Sequence, residues 1–357
     1  MFCRVTTEAE EQGGFKPAKN YKMKYILVNA FVLFTAFANS QPHLNNSKMN
    51  NDTSVNNPLL CDVETGICEM PGVQANGESL AVEASEGGKI KVLYFTDPIC
   101  SSCWGLEPQL RKLKLEYGSS ITIEYHMGGL LPDWNYNSGG ISKPSDVAHH
   151  WDEVSAYYDM PIDGDVWLED PLSSSYPPSI AFKAAQLQDP EKAVVFLREL
   201  REMVFLQKIN ITRWEPIEKA ARMAGLDIGC LKSDVEGPAK KMFEEDLELA
   251  RKYGVRGFPS VFFEQEGNSE FIYGTKPYAY YEMGVLKLKP DAVKEQYSKK
   301  PGFLFDRYTS LTAREFSELS GTPRTESEDM LNDLVLNGML HKITTKNGAL
   351  WTIAAKE

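Results

Sequence analysis

Two of the six cysteines in this 357-residue chain stand three apart in the run DPICSSCWG: Cys100 and Cys103. Thiols at that spacing at a helix start can do redox chemistry. At the helix N-terminus, free N–H groups and the helix dipole favour an anion, which lowers the thiol pKa of Cys100 and makes it a nucleophile near neutral pH. One turn later, Cys103 is placed to attack a mixed disulfide and release the bound partner. Cys100 is therefore expected to attack and Cys103 to resolve, with the Cys100–Cys103 disulfide as the redox centre and no added cofactor. Half of a zinc knuckle has the same spacing, but zinc needs two further ligands. His126 is the one histidine between residues 44 and 148, and Cys61 and Cys68 are separated by six residues. No metal is expected.

The elements around the pair agree with this chemistry. Residues 90–96 (IKVLYFT) form a continuous apolar run, the pattern of a buried strand, closed by Asp97-Pro98. Leu106, Leu110, Leu113 and Tyr117 recur at helical spacing over 100–117, and Gly118 supplies a stop. The alternating run 121–126 (ITIEYH) completes a βαβ unit. Residues 142–252 read as helical throughout, with turn signals at Gln188-Asp189-Pro190, Gly225 and Gly237-Pro238. A β-rich run follows Gly257-Phe258-Pro259, then a short strand at 270–273 and a helix at 278–288. Pro259 is a candidate cis-proline; the plain alternative is a trans-proline entering an edge strand.

The flanks are simpler. Residues 303–357 form a separate unit of two helices (312–319 and 325–336) and a hairpin turning at Lys346-Asn347-Gly348, the order of a winged helix. Their six Lys/Arg against eight Asp/Glu give −2, and Glu326, Glu328, Asp329 and Asp333 crowd the helix that would read DNA. The whole chain carries −12. Nucleic-acid binding is not expected. Residues 1–48 hold an apolar run at 25–38 with a small-x-small end at Ala36-Phe37-Ala38. It is either a signal peptide cleaved near Ala38, giving a periplasmic or secreted chain, or a mis-assigned leader before a start at Met49. The second reading gives a cytoplasmic protein without a stable membrane span, and it is the expectation. Residues 49–88 read as a flexible arm and linker carrying Cys61 and Cys68, which are accessory thiols: a local disulfide, a regulatory dithiol, part of a metal site, or two free thiols on a mobile arm. Cys230 reads as a small buried hydrophobe. His149, His150 and Trp134 read as packing or groove residues.

VLYFTDPICSSCWG, the long helical insertion, SSYPPSIAFKAAQL and VRGFPSVFF, in that order over residues 89–290, resemble the DsbA-like branch of the thioredoxin superfamily. The FrnE-type dithiol oxidoreductases and the YjbH (SpxH) adaptor proteins are the nearest groups. The resemblance implies an α/β thioredoxin fold with a large helical insertion at about 142–252. It sets Pro259 opposite Cys100 and Cys103, and a substrate groove bordered by Pro259, Phe258, Trp104, Tyr176 and Pro177, where substrate pairs as an added strand. Ser101 and Ser102 replace the Pro-His pair of strongly oxidising DsbA enzymes, so a less oxidising couple is expected. The related 2-hydroxychromene-2-carboxylate isomerases carry serine at the position of Cys100, which sets them apart.

Two functions follow. The first is a thiol–disulfide oxidoreductase or isomerase acting on protein thiols and disulfides. The alternative is a redox-responsive adaptor that binds a transcription regulator and promotes its proteolysis by a protease.

Overall fold

In the computed structural model the described residues are 61–62, 66–69, 88–135 and 143–354. All fall in one compact unit, Val55–Glu357. The signal-like run and Met49 lie outside them. Two short strands come first, β1 (Cys61–Asp62) and β2 (Ile67–Glu69). The apolar run forms β3 (Ile90–Thr96), followed by α1 (Ser101–Gly105), α2 (Glu107–Tyr117) and β4 (Ile121–Met127). The single helix expected over 100–117 is thus two. Pro108 lacks an N–H and its ring clashes with the carbonyl four residues back, so the helix breaks at Leu106 and restarts with a proline in its first turn.

The helical block comprises α3 (Pro144–Tyr158), α4 (Val166–Glu169), α5 (Tyr176–Gln188), α6 (Pro190–Leu206), α7 (Trp214–Met223), α8 (Ile228–Glu236) and α9 (Pro238–Lys252). It is inserted before β5 (Gly257–Phe258), β6 (Ser260–Gln265), β7 (Asn268–Tyr273) and α10 (Tyr278–Leu288). The main sheet has the order β4-β3-β6-β7. β3 runs parallel to β4, with Val92 opposite Ile123, and antiparallel to β6, with Phe95 opposite Ser260. β3 is central and nearly every residue is buried, which is why its sequence is apolar without alternation. Fold and family resemblance agree: this is a thioredoxin-like fold with a large helical part.

One aromatic cluster joins the insertion to α1. The Trp104 ring stacks on Phe205, Phe205 meets Trp151, and Trp151 meets Trp167 edge-on. Burying such side chains contributes roughly 1.5–3 kcal/mol each, so the helical block helps to fix the position of α1.

The last segment folds as α11 (Pro301–Arg307), β8 (Ser310–Thr312), α12 (Ala313–Ser320), α13 (Arg324–Leu336) and the hairpin β9 (Leu340–Thr345) and β10 (Gly348–Ile353). β8 pairs with β10, so the hairpin becomes a three-stranded sheet. Three residues are too few to show alternation, which hid β8 from the sequence. Leu304, Phe316, Leu331 and Trp351 form a core of their own, yet Leu350 packs into the main core. The buried guanidinium of Arg198 on α6 makes paired hydrogen bonds of 2.8 and 3.0 Å to Glu315 on α12.

Candidate functional site

Cys100 is the N-cap of α1 and its Sγ accepts a 3.1 Å hydrogen bond from the Cys103 N–H. α1 is only five residues long, so this direct donor is a nearer favourable contact for negative charge on Cys100 Sγ than a long helix dipole. Cys100 and Cys103 are joined in a disulfide with a Cα separation of 5.2 Å. Ser102 is held from two sides: Tyr158 donates from its hydroxyl to Ser102 Oγ at 3.1 Å, and Thr275 donates to the Ser102 carbonyl at 2.7 Å.

The Phe258-Pro259 peptide is cis. Ser260 pairs with Phe95, so Pro259 sits at the end of β3 from which the Cys100 loop departs. The Phe258 ring lies against Gly128, where a Cβ would fall 1.7 Å from the ring; only glycine permits that approach.

Asp97, read from the sequence only as a strand stop, is fully buried beside the pair and accepts from the backbone N–H groups of Ile99 (3.0 Å) and Leu130 (2.8 Å) and from the Ser175 hydroxyl (2.8 Å). Burial raises its carboxyl to about 6, against the pull of these donors and of Arg201. Arg201, also buried, donates to Thr96 Oγ1 at 2.7 Å and the Asp97 carbonyl at 3.3 Å. The loop 128–131 gathers these parts, since Gly128 meets Phe258, Gly129 meets Tyr176, Leu130 binds Asp97 and Leu131 binds Ser175. The glycine pair directly after a strand was the sequence signal that could have found it.

Of the expected groove residues, Tyr176 and Pro177 are half-buried in the first turn of α5. Tyr176 packs edge-on against Phe243, and its phenol is raised by burial and by the Asp97 charge. Trp104, like Phe258, has no exposed surface. Trp104 donates its indole N–H to the Pro161 carbonyl at 3.0 Å and lies under the Arg198 guanidinium at 4.3 Å. Cys230 is not a buried filler: it is half-buried in α8 and disulfide-bonded. His149 is exposed beside Glu153, and Trp134 donates to the Leu172 carbonyl. Among the described residues no three His, Cys, Asp or Glu side chains are grouped to hold a metal.

The described residues of the arm include two strands of a small sheet. Cys61 and Cys68 are opposite residues in the β1–β2 register, and β2 pairs antiparallel with β5, Cys68 against Phe258. Cys68 is fully buried and its Sγ lies 3.6 Å from Cys100 Sγ. At Gly66, which has φ +74°, a Cβ would fall 2.8 Å from both the N and O of Thr275, and the Thr275 N–H donates to the Gly66 carbonyl at 2.9 Å. Cys100 and Cys103 are 0% exposed beneath this cover. A separate cavity of about 210 Å³, lined by Glu107, Tyr125, Val194, Arg198 and Tyr308, includes neither cysteine.

Residues 93–283 match the family described as Thioredoxin. The chain is 33% identical over 304 residues to the ClpXP adapter protein SpxH of Halalkalibacterium halodurans, covering 83% of this chain and 97% of that one. It is 32% identical over 298 residues to the protein of the same name in Shouchella clausii, covering 82% and 95%. The structure of the cytosolic disulfide reductase DsbM from Pseudomonas aeruginosa superimposes with a TM-score of 0.45 at 20% identity, covering 54% of this chain and 97% of that one. With thioredoxin matched across more than half its length, and SpxH along nearly the full length of those relatives, the chain belongs to the thioredoxin-fold family that includes SpxH.

Proposed function

We propose that this chain is a protease adaptor that binds a transcription regulator and delivers it to a ClpXP-type protease, with the Cys100–Cys103 pair as a thiol–disulfide switch. The observation that carries the reading is the 33% identity extending over 97% of an adaptor relative. The geometry supports it, because a dithiol sealed beneath the chain's own strand is better suited to switching than to steady turnover on protein substrates. The exposed Glu326, Asp329 and Asp333 of α13 repel phosphates and favour contact with protein. This reading puts the chain in the cytoplasm; among the described residues no helix is long and apolar enough to cross a membrane.

A second reading, a protein-disulfide oxidoreductase, is favoured by the Cys103 N–H donated to Cys100 Sγ, which supports an activated thiolate. Two assays separate them. Added to ClpXP with the regulator, the full chain is expected to raise the degradation rate; no acceleration sinks the adaptor reading. In insulin reduction, equal background rates for the wild type and Cys100→Ser dispose of the enzyme.

A further inference from the structure

β2 lies where a thioredoxin-type site takes its substrate. It pairs antiparallel with β5 directly before Pro259, and it presents a cysteine, Cys68, at the residue opposite Phe258. The two sulfurs, Cys68 Sγ and Cys100 Sγ, stand 3.6 Å apart, which leaves no room for an atom between them. Strand addition gives main-chain register, and register aims one side chain at the reactive atom. A structural lid has no need of a sulfur there: an aliphatic side chain would cover the site as well.

We propose that the arm is a substrate built into the chain, with Cys68 exchanging disulfides directly with Cys100. The proposal takes Cys61, opposite Cys68 in the β1–β2 register, as the fourth sulfur. It rests on the redox competence of the Cys100–Cys103 pair.

The exchange balances within the chain. With Cys61–Cys68 oxidised and the site pair reduced, the Cys100 thiolate attacks Cys68 Sγ. A Cys68–Cys100 bond forms, the Cys61–Cys68 bond breaks, and Cys61 leaves as a thiolate. The Cys103 thiolate then attacks Cys100 Sγ, forming Cys100–Cys103 and releasing the Cys68 thiolate. Two electrons pass from the site pair to the arm pair; the protons lost by Cys100 and Cys103 are taken up by Cys61 and Cys68 through water. The reverse order restores the start. An external dithiol is needed only to bring two electrons into a chain in which both pairs are oxidised. The consequence for the site is a choice: while Cys68 occupies the edge of β5, no other strand can.

The test uses the full chain. In Cys61→Ser/Cys103→Ser the two resolving sulfurs are absent, so the intermediate has no exit. After reduction with dithiothreitol and reoxidation by air, peptide mass spectrometry is expected to find Cys68 linked to Cys100 in most molecules. In a second variant, Cys61→Ser/Cys68→Ser combined with Gly66→Val to loosen β2 from β5, iodoacetamide is expected to alkylate reduced Cys100 at least about tenfold faster than in the reduced wild type. Cys68 and Cys100 both recovered unlinked, with Cys100 reactive in the second variant, overturn the inference and leave the redox reading standing. A Cys100 that stays unalkylated in the second variant removes both.

Discussion

At the residue scale, the surroundings of Cys100 include a carboxyl whose environment the motif DPICSSCWG does not reveal. Asp97 is a fully buried carboxyl with three hydrogen-bond donors, raised by burial to about 6 from an ordinary 3.8. Because the folded state holds the proton more tightly than the unfolded state, protonation stabilises the fold. That contribution is complete below about 4 and is lost as pH rises through about 6. The shift corresponds to on the order of 3 kcal/mol. Urea unfolding at pH 4 and at pH 7.5 is expected to show the wild type losing that amount relative to Asp97→Asn. Parallel pH profiles for the two proteins would show that Asp97 titrates normally.

At the element scale, the arm is held by a turn and a strand edge. Gly66 adopts a left-handed backbone in close approach to Thr275, two residues before Cys68. A side chain there costs about 1 kcal/mol or more in backbone strain and must push the Thr275 backbone aside. Gly66→Val is therefore expected to loosen β2 from β5 and raise the rate at which iodoacetamide labels reduced Cys100, with the rest of the fold intact by circular dichroism. An unchanged labelling rate would show that the cover does not depend on this turn.

At the scale of the whole molecule, the C-terminal segment is tied to the thioredoxin part through buried charge. Glu315 is fully buried; it accepts from Arg198 and from the Thr312 N–H, and Arg111 lies 3.3 Å away. Burial pushes its carboxyl up, but Arg111 and Arg198 hold it below the usual carboxylate range. The stabilisation is thus present above the unfolded value and is lost as pH falls through the folded one. Glu315→Gln leaves Arg198 with Glu202 as its hydrogen-bonded carboxylate and is expected to cost about 3–5 kcal/mol at pH 7 in urea unfolding, with a smaller cost in acid. A loss under about 1 kcal/mol would mean that the apolar contacts alone dock the segment.

The CxxC pair, the βαβ unit, the helical block and the strand after Pro259 were legible because each is written in local spacing: two thiols three apart, apolar runs with a period, prolines and glycines at the breaks. What surrounds them depends on long-range packing. Trp104 sits next to Cys103 in the chain but faces Phe205 and Arg198, since α6 of the insertion, far along the chain, supplies the surface it needs. Asp97 takes its character from Leu130 and Ser175, which burial brings to it. Cys68 lies 32 residues before Cys100 in a polar arm whose composition reads as a tether. Backbone hydrogen bonds, from β2 to the edge of β5 and from Thr275 to Gly66, carry no sequence signature, and they help to bring that sulfur to the site.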